Sequence, residues 1–308
     1  MADATKLERV RGLEAQLRAH IRGQDHALPR VAAAFCRGEL GLASPDRPRG
    51  SFLFVGPTGT GKTEMAACAT EFVFGPGHLV AFDMSEYQDK SAVNKLLGSN
   101  RDDPGLLGRA LASSPRGTLL FDELEKAHSL VLDLFLQMLW HGRITVATGE
   151  KFRLGNHYVV FTSNIGSAEA MRMERSNFAS VEHAVLRRVD QTLRPELVGR
   201  VEEKIVFARL TPNVQREICR LEVARETARL RSLGFDLEVT REALEFLIRE
   251  GFDPHLGARP IRRTVERHLQ DAVVRELFAV GSGSGPVVPG CNHCRLAIRT
   301  QGIRELNR

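Results

Sequence analysis

Nowhere in these 308 residues does an apolar run approach the length needed to span a bilayer, which takes about 18 residues. The N-terminus, MADATKLERVRG, lacks the apolar core of a signal peptide, so no membrane role and a cytoplasmic location are expected. Cysteine is scarce. Cys36, Cys68, Cys219, Cys291 and Cys294 are odd in number and scattered, which fits reduced thiols better than a disulfide framework. Cys291 and Cys294 have a CxxC spacing that could hold half a zinc site, yet no second pair accompanies them. No block of like charge stands out either. The net charge of +5 permits nucleic-acid binding, but acids and bases alternate along most of the chain, as on a solvated mixed surface. Internal repeats are absent as well. What is present, 43% hydrophobic and 26% charged residues, is the composition of a soluble globular protein long enough for two domains.

Apolar positions at Leu7, Val10, Leu13, Leu17 and Ile21 predict a first helix; RGQD at 22–25 interrupts it, and a second helix follows from about His26. ASPDRPRG at 43–50 is loop. Then the pattern changes. SFLFV (51–55), LVAFDM (79–84), TLLFD (118–122), YVVFTS (158–163) and KIVF (204–207) read as strands, with helices beginning near Lys62, Ser91 and Ala127. Continuous apolar strands alternating with helices predict an α/β fold, a five-stranded parallel sheet covered on both faces. After Leu210 the chain turns helical, with amphipathic stretches at 212–232, 240–250 and 258–279. FDLEV (235–239) and CRLAI (294–298) could pair as strands, and GSGSGPVVPG (281–290) between them is a flexible turn. The expected division is a large nucleotide-binding domain over 1–210, opening on a helical segment at 1–50, and a smaller, mainly helical domain over 211–308.

The phosphate-binding signal is GPTGTGKT: Gly56, Pro57, Thr58, Gly59, Thr60, Gly61, Lys62 and Thr63. It follows an apolar strand and opens a helix, the context that gives the motif its meaning. Glycines let backbone N–H groups close around phosphate oxygens, and the helix N-terminus favours negative charge. Lys62 would reach the β and γ phosphates of ATP, and Thr63 would offer a hydroxyl to Mg²⁺. In LLFDELE (119–125) another strand ends in acids. Asp122 is placed to hold Mg²⁺ through its water shell and Glu123 to polarise the attacking water. The same pair could instead begin the helix that follows. Asn164, ending the FTSN strand, could orient the lytic water beside Glu123.

Phosphoryl transfer also needs positive charge near the γ-phosphate, and an arginine there accelerates the reaction about 10³–10⁵-fold. Arg200 in LRPELVGRVEE and Arg259 in GARP are candidates. By spacing alone either could equally belong to a surface salt bridge.

Taken together, IRGQDHAL, DRPRGSFLFVGPTGTGKTE, FDMSEY, LLFDELEKAH, LFLQMLWHGRIT, VVFTSNIGS, LRPELVGRVEE and GFDPHLGARPIRR run in order along nearly the whole chain. In these stretches the chain resembles the Clp-type AAA+ ATPases, most closely the second ATPase ring of ClpB and ClpA chaperone-unfoldases, with their large and small domains. The resemblance implies that Lys62 and Thr63 belong to Walker A, Asp122 and Glu123 to Walker B, and that Asn164 is sensor 1. It implies that Arg200 is a finger reaching the neighbouring subunit's nucleotide and Arg259 is sensor 2, acting on the subunit's own ATP. Ile21, Arg22 and Gly23 would lie beside the adenine. The cofactors implied are ATP and Mg²⁺, and the assembly a homo-oligomer, a hexameric ring.

There are departures from the family pattern. No first ring, N-terminal substrate domain or coiled-coil middle domain is present in this sequence. The region after sensor 1, MRMERSNFASV, lacks the Ile-Gly loop of members that dock a ClpP-type peptidase, so no such partner is expected. Trp140-His141 stand where the family tends to have acids. The largest departure is GSNRDDPGLLG (98–108). Family members carry there a Gly-Tyr-Val-Gly-Tyr type loop whose aromatic lines the pore and grips unfolded polypeptide, and this loop is shorter and has no aromatic. Arg101, Asp102 and Asp103 are its candidates for reaching a ligand or an adjacent subunit. The expected function is ATP-driven remodelling, unfolding or disassembly of a protein partner or complex. Alternatives are a non-threading, nucleotide-gated switch or assembly factor, and, with only the basic balance in its favour, a nucleic-acid motor.

Overall fold

The computed structural model describes residues 10–253, 256–278 and 296–299. The chain divides into two compact units, Met1–Pro57 with Gly61–Arg209, and Thr58–Thr60 with Leu210–Arg308. In the first unit, β1 (Gly50–Val55), β2 (Leu79–Asp83), β3 (Gly117–Asp122), β6 (His157–Ser163) and β7 (Glu203–Val206) form one parallel sheet in the order β2-β3-β6-β1-β7. The short strands β4 (Arg143–Thr145) and β5 (Lys151–Arg153) make a separate antiparallel hairpin.

Alternation along each strand sends side chains to two cores. Phe52 and Phe54 of β1 join Leu120, Tyr158, Val160 and Ile205 on one face. There they meet α1 (Leu13–His20), α2 (Leu28–Glu39) and α3 (Lys62–Phe74) through Leu13, Leu17, Phe35, Met65 and Ala69. Leu53 and Val55 face the other way with Leu119, Phe121, Val159 and Phe161. That face is covered from α4 (Ala92–Leu97), α5 (Gly105–Ser113), α6 (Ser129–His141), α7 (Ser167–Arg172), α8 (Phe178–Thr192) and α9 (Pro195–Val198). Both faces being dry, β1 and β6 are buried along their whole length. In register, Val55 pairs with Ser163 and Asp83 with Asp122, so the carboxyl ends of the strands finish level. An open α/β sheet places its ligand site outside those ends.

The second unit packs α10 (Pro212–Ser232), α11 (Arg241–Gly251) and α12 (Arg259–Phe278) around Cys219, Leu230, Phe246, Leu247, Ile261 and Leu269. Thr211 and Thr240 cap the first two of these helices, their hydroxyls accepting from the Val214 and Ala243 amides. Strand β8 (Asp236–Val239) pairs antiparallel with β9 (Leu296–Arg299), as FDLEV and CRLAI predict.

Two features differ from the sequence reading. The helix expected from Ser91 is two helices, because Gly98 and Gly105 both take positive φ and break the run. The β4–β5 hairpin and helices α7 to α9 are not anticipated. The strands have three residues each and give no usable periodicity, and α7 and α9 have six and four. Among the described residues no helix is long and apolar enough to cross a membrane. Cys291 and Cys294 lie outside the described residues, as do 281–290.

Candidate nucleotide site

The loop from Gly56 to Gly61 connects β1 to α3, and its glycines do specific work. Gly56, Gly59 and Gly61 have φ of 133°, 71° and 98°, a region that side chains rarely adopt. At Gly56 a Cβ would also stand 2.6 Å from the Phe207 carbonyl oxygen, so the loop can leave β1 this close to the segment after β7 only as glycine.

Lys62, the first residue of α3, is 7% exposed. Its Nζ donates to the carbonyl oxygens of Gly56 (2.7 Å) and Pro57 (2.9 Å) and to Asn164 Oδ1 (3.1 Å). Burial pushes its pKa down to about 8, against the opposing pull of Asp122, Glu125 and Glu123. Every one of its three hydrogen-bond acceptors is neutral, and among the described residues no carboxylate lies within ion-pair distance of it. A buried ammonium in this condition suits an anion.

The acids stand opposite. Asp122 ends β3, with Oδ2 accepting from the Thr63 hydroxyl (3.3 Å) and Oδ1 from that of Thr162. Glu123 comes next with φ 57° and ψ 50°, the only non-glycine residue with positive φ among those described. Such a backbone is held by its surroundings at some expense of strain. Here the Glu123 amide donates to the Thr162 hydroxyl at 3.2 Å, and Asn164 Nδ2 reaches Glu123 Oε1 at 3.4 Å. Glu125 accepts from the Asn164 amide through Oε1 (3.0 Å), while its buried Oε2 has no partner among the described residues.

The structure thus brings together Lys62, Thr63, Asp122, Glu123 and Asn164, and adds Thr162 and Glu125. Both additions were visible in the motifs, two residues before Asn164 and three after Asp122, but a threonine in a strand and a glutamate opening a helix carry no signal of their own. Ile21, Arg22 and Gly23 follow α1. The Gln24 side chain next to them makes two hydrogen bonds with the backbone of Ala208, 2.9 and 2.8 Å. Phe207, beside Ala208, donates its amide to Val55 at the end of β1, so this segment is tied to the strand bordering the loop. Arg200 makes no hydrogen bond or ion pair with the cluster. It lies just after α9, with its guanidinium 3.0 Å from the centroid of the Trp140 ring. Arg259 opens α12 in the second unit, its side chain exposed.

Hard oxygen donors at Thr63 and Asp122, next to a loop of backbone N–H groups and a buried lysine, fit a magnesium-bound nucleotide. Among the described residues no three His, Cys, Asp or Glu side chains gather to hold a metal alone. Mg²⁺ needs no such cage, since it keeps waters and phosphate oxygens as ligands.

The loop at 98–105 closes on itself. Asp103 accepts from the Gly105 amide (3.0 Å), the Ser99 amide (3.4 Å) and Arg109 (2.8 Å), while the Asp102 amide donates to Asn100 Oδ1 (2.9 Å). These bonds, the Gly105 amide foremost, hold the Asp103 carboxyl below its usual pKa. Asp103 is therefore a brace inside the loop, whereas the side chains of Arg101 and Asp102 are exposed.

Known proteins resemble this chain in sequence and in fold. Residues 47–204 match the model of the AAA domain (Cdc48 subfamily), and residues 210–285 that of the C-terminal, D2-small domain of ClpB protein. Chaperone protein ClpB 2 of Nostoc is 38% identical over 88% of this chain and 32% of its own length. Heat shock protein 100 of Trypanosoma brucei brucei is 37% identical over 89% and 33%. Among solved structures, the S. cerevisiae Hsp104:casein complex superposes with a TM-score of 0.80 at 33% identity, covering 89% of this chain and 49% of that one. The S. cerevisiae Hsp104-ADP complex gives 0.81 at 31%, covering 94% and 52%. The chain spans about a third of the length of the curated relatives it matches. It belongs to the AAA family, as an AAA domain joined to the small domain of a Clp-type second ring.

Proposed function

We propose that this chain binds ATP with Mg²⁺ and hydrolyses it at sites shared between copies in a homo-oligomeric ring, of six subunits as in its family, to remodel a protein client. The observation that carries the nucleotide reading is Lys62, a buried ammonium hydrogen-bonded only to neutral oxygens at the mouth of a glycine loop. In this reading Lys62 would contact the β and γ phosphates, and Thr63 and Asp122 would hold Mg²⁺. Bound there, the ion would supply charge neutralisation at the phosphate oxygens. Glu123 accepts the proton of the attacking water and Asn164 orients it. Ile21, Arg22 and Gly23 border the adenine, and Arg259 acts on the subunit's own nucleotide. Arg200 serves the neighbouring copy's site. Its lack of any bond to its own cluster supports that direction, as does the absence of a carboxylate partner among the described residues. A protein client is supported by the relatives named as chaperones and by the casein held by Hsp104.

A second reading has a specific observation in its favour. The self-bonded loop at 98–105 presents no aromatic, which suits a nucleotide-gated assembly that engages one partner without threading it.

Mixing subunits tests the shared site. Glu123→Gln alone should bind ATP and turn it over at least about a hundredfold more slowly, and Arg200→Ala alone should be similarly slow. Combined, they should regain activity, because some interfaces unite an intact Glu123 with a neighbour's intact Arg200. No recovery in rings shown to be mixed would rule out the shared site.

A further inference from the structure

Trp140 is the only tryptophan in the chain, and it is 52% exposed at the last turn of α6. A single open ring needs no explanation on a protein surface, but this one has a charged partner. Here one face is covered by the Arg200 guanidinium, whose Cζ stands 3.0 Å from the ring centroid. The two helices beneath the stack are joined by packing and by an ion pair. Arg194, which caps α9, bonds Asp133 on α6. Leu197 and Val198 of α9 are buried in the same core as Leu134 and Met138 of α6. The Arg200 amide donates to the Leu197 carbonyl at 3.1 Å, which fixes where its side chain begins.

Other arginines of this unit are held differently. Arg30, Arg37, Arg49 and Arg109 each lie against a carboxylate. An arginine anchored in that way has part of its donor edge and charge already committed to a carboxylate. A ring face fixes the plane of the guanidinium and leaves its N–H edges available to an anion. It orients the charge without neutralising it.

We propose that Trp140 is a positioning residue for the ATPase: its indole face pre-orients Arg200 for the neighbouring copy's γ-phosphate. The inference rests on the shared-site reading of Arg200. Trp140 touches no nucleotide itself and acts only through the arginine.

The test compares Trp140→Ala, Trp140→Phe and Trp140→Glu with Arg200→Ala in the full chain, measuring kcat and KM for ATP together with the melting temperature. Trp140→Ala should lower kcat about threefold to thirtyfold, the span of a lost aromatic–cation contact, with KM and melting temperature little changed. Trp140→Phe should recover most of the rate. Trp140→Glu should not, because a carboxylate beside Arg200 would fix its position and also occupy its charge. In the Arg200→Ala background, Trp140→Ala should have no further effect. A merely structural role would shift the melting temperature and add to the Arg200→Ala defect. Wild-type kcat in Trp140→Ala, beside a crippled Arg200→Ala, would overturn the positioning role and leave the finger standing. Wild-type kcat in Arg200→Ala would instead remove the shared-site reading on which it rests.

Discussion

The cluster around Lys62 and the loop from Gly98 to Gly105 are both polar, yet they settle their polar groups in opposite ways. In the cluster a buried ammonium rests on neutral oxygens, Glu125 keeps one oxygen without a partner among the described residues, and Glu123 sits in a left-handed conformation. In the loop Asp103 answers two amides and an arginine, and Asn100 answers a third amide. Groups left unanswered by the fold are those that a ligand can answer; groups answered internally hold shape. Polarity alone does not distinguish the two, but its bookkeeping does.

The sharpest way to break the contrast is to remove one group from each region. Lys62→Ala should weaken ATP binding at least about a hundredfold, since a charge-assisted contact to phosphate in a desolvated site is lost. Asp102→Ala, an equally polar change on the loop surface, should leave nucleotide affinity alone. Titration with a fluorescent ATP analogue reads both. Comparable losses would mean that the loop takes part in nucleotide binding.

Next in size is the effect of pH on Lys62. Burial lowers its pKa from 10.5 to about 8. The unfolded chain then holds more protons between those values, so stability rises with pH across that window, and the penalty is fully present below pH 8. The difference corresponds to an upper bound of about 3 kcal/mol. Lys62→Met, which keeps the stem and discards the charge, should therefore raise the melting temperature of the nucleotide-free protein at pH 7. ATP affinity in the wild type should be flat below pH 8 and fall up to tenfold per unit above it. An affinity that holds steady to pH 10 would show that Lys62 keeps an ordinary pKa.

How much of this was legible beforehand differs between the regions for a physical reason. The loop at 56–63 and the acids at 122–123 are contiguous motifs whose backbone demands, glycine at positive φ and an acid at a strand end, are written into adjacent residues. The five sheet strands could be read for the same reason, as continuous apolar runs. Thr162 and Glu125 join the site through tertiary register, which no local pattern carries. The brace made by Asp103 was hidden for another reason. Its sequence, SNRDDPG, reads as exposed polar loop, and only the geometry shows which aspartate turns inward. The Trp140–Arg200 stack joins residues sixty positions apart by number and was equally out of reach.

The loop's own rigidity gives a smaller, measurable effect. Gly98 has φ of 93°, and a Cβ there would lie 1.7 Å from the Asp103 carbonyl oxygen. Gly98→Ala must open the loop, at about 1–3 kcal/mol for the strained backbone. Thermal melting should register this loss while ATP affinity stays unchanged. An unaltered melting temperature would mean that the loop is not closed in solution.

The smallest expected effect is none at all, and it bears most directly on what the protein does. A sequence-tolerant grip on unfolded polypeptide relies on large apolar and aromatic contact area. Between Gly98 and Gly105 the chain offers no aromatic, one internally committed aspartate, and the exposed side chains of Arg101 and Asp102. Contacts of that kind are directional and charge-specific, so they discriminate among partners. Casein should accordingly fail to stimulate ATP turnover. Replacing 99–104 with a Gly-Tyr-Val-Gly-Tyr type segment should create a response, since it supplies apolar area without touching Lys62, Glu123 or Arg200. Stimulation of the unaltered protein by casein would place the grip elsewhere. The exposed ring of Trp140 would then be the first residue to test, with casein binding to Trp140→Ala, measured apart from ATP turnover, separating contact with a client from service to Arg200.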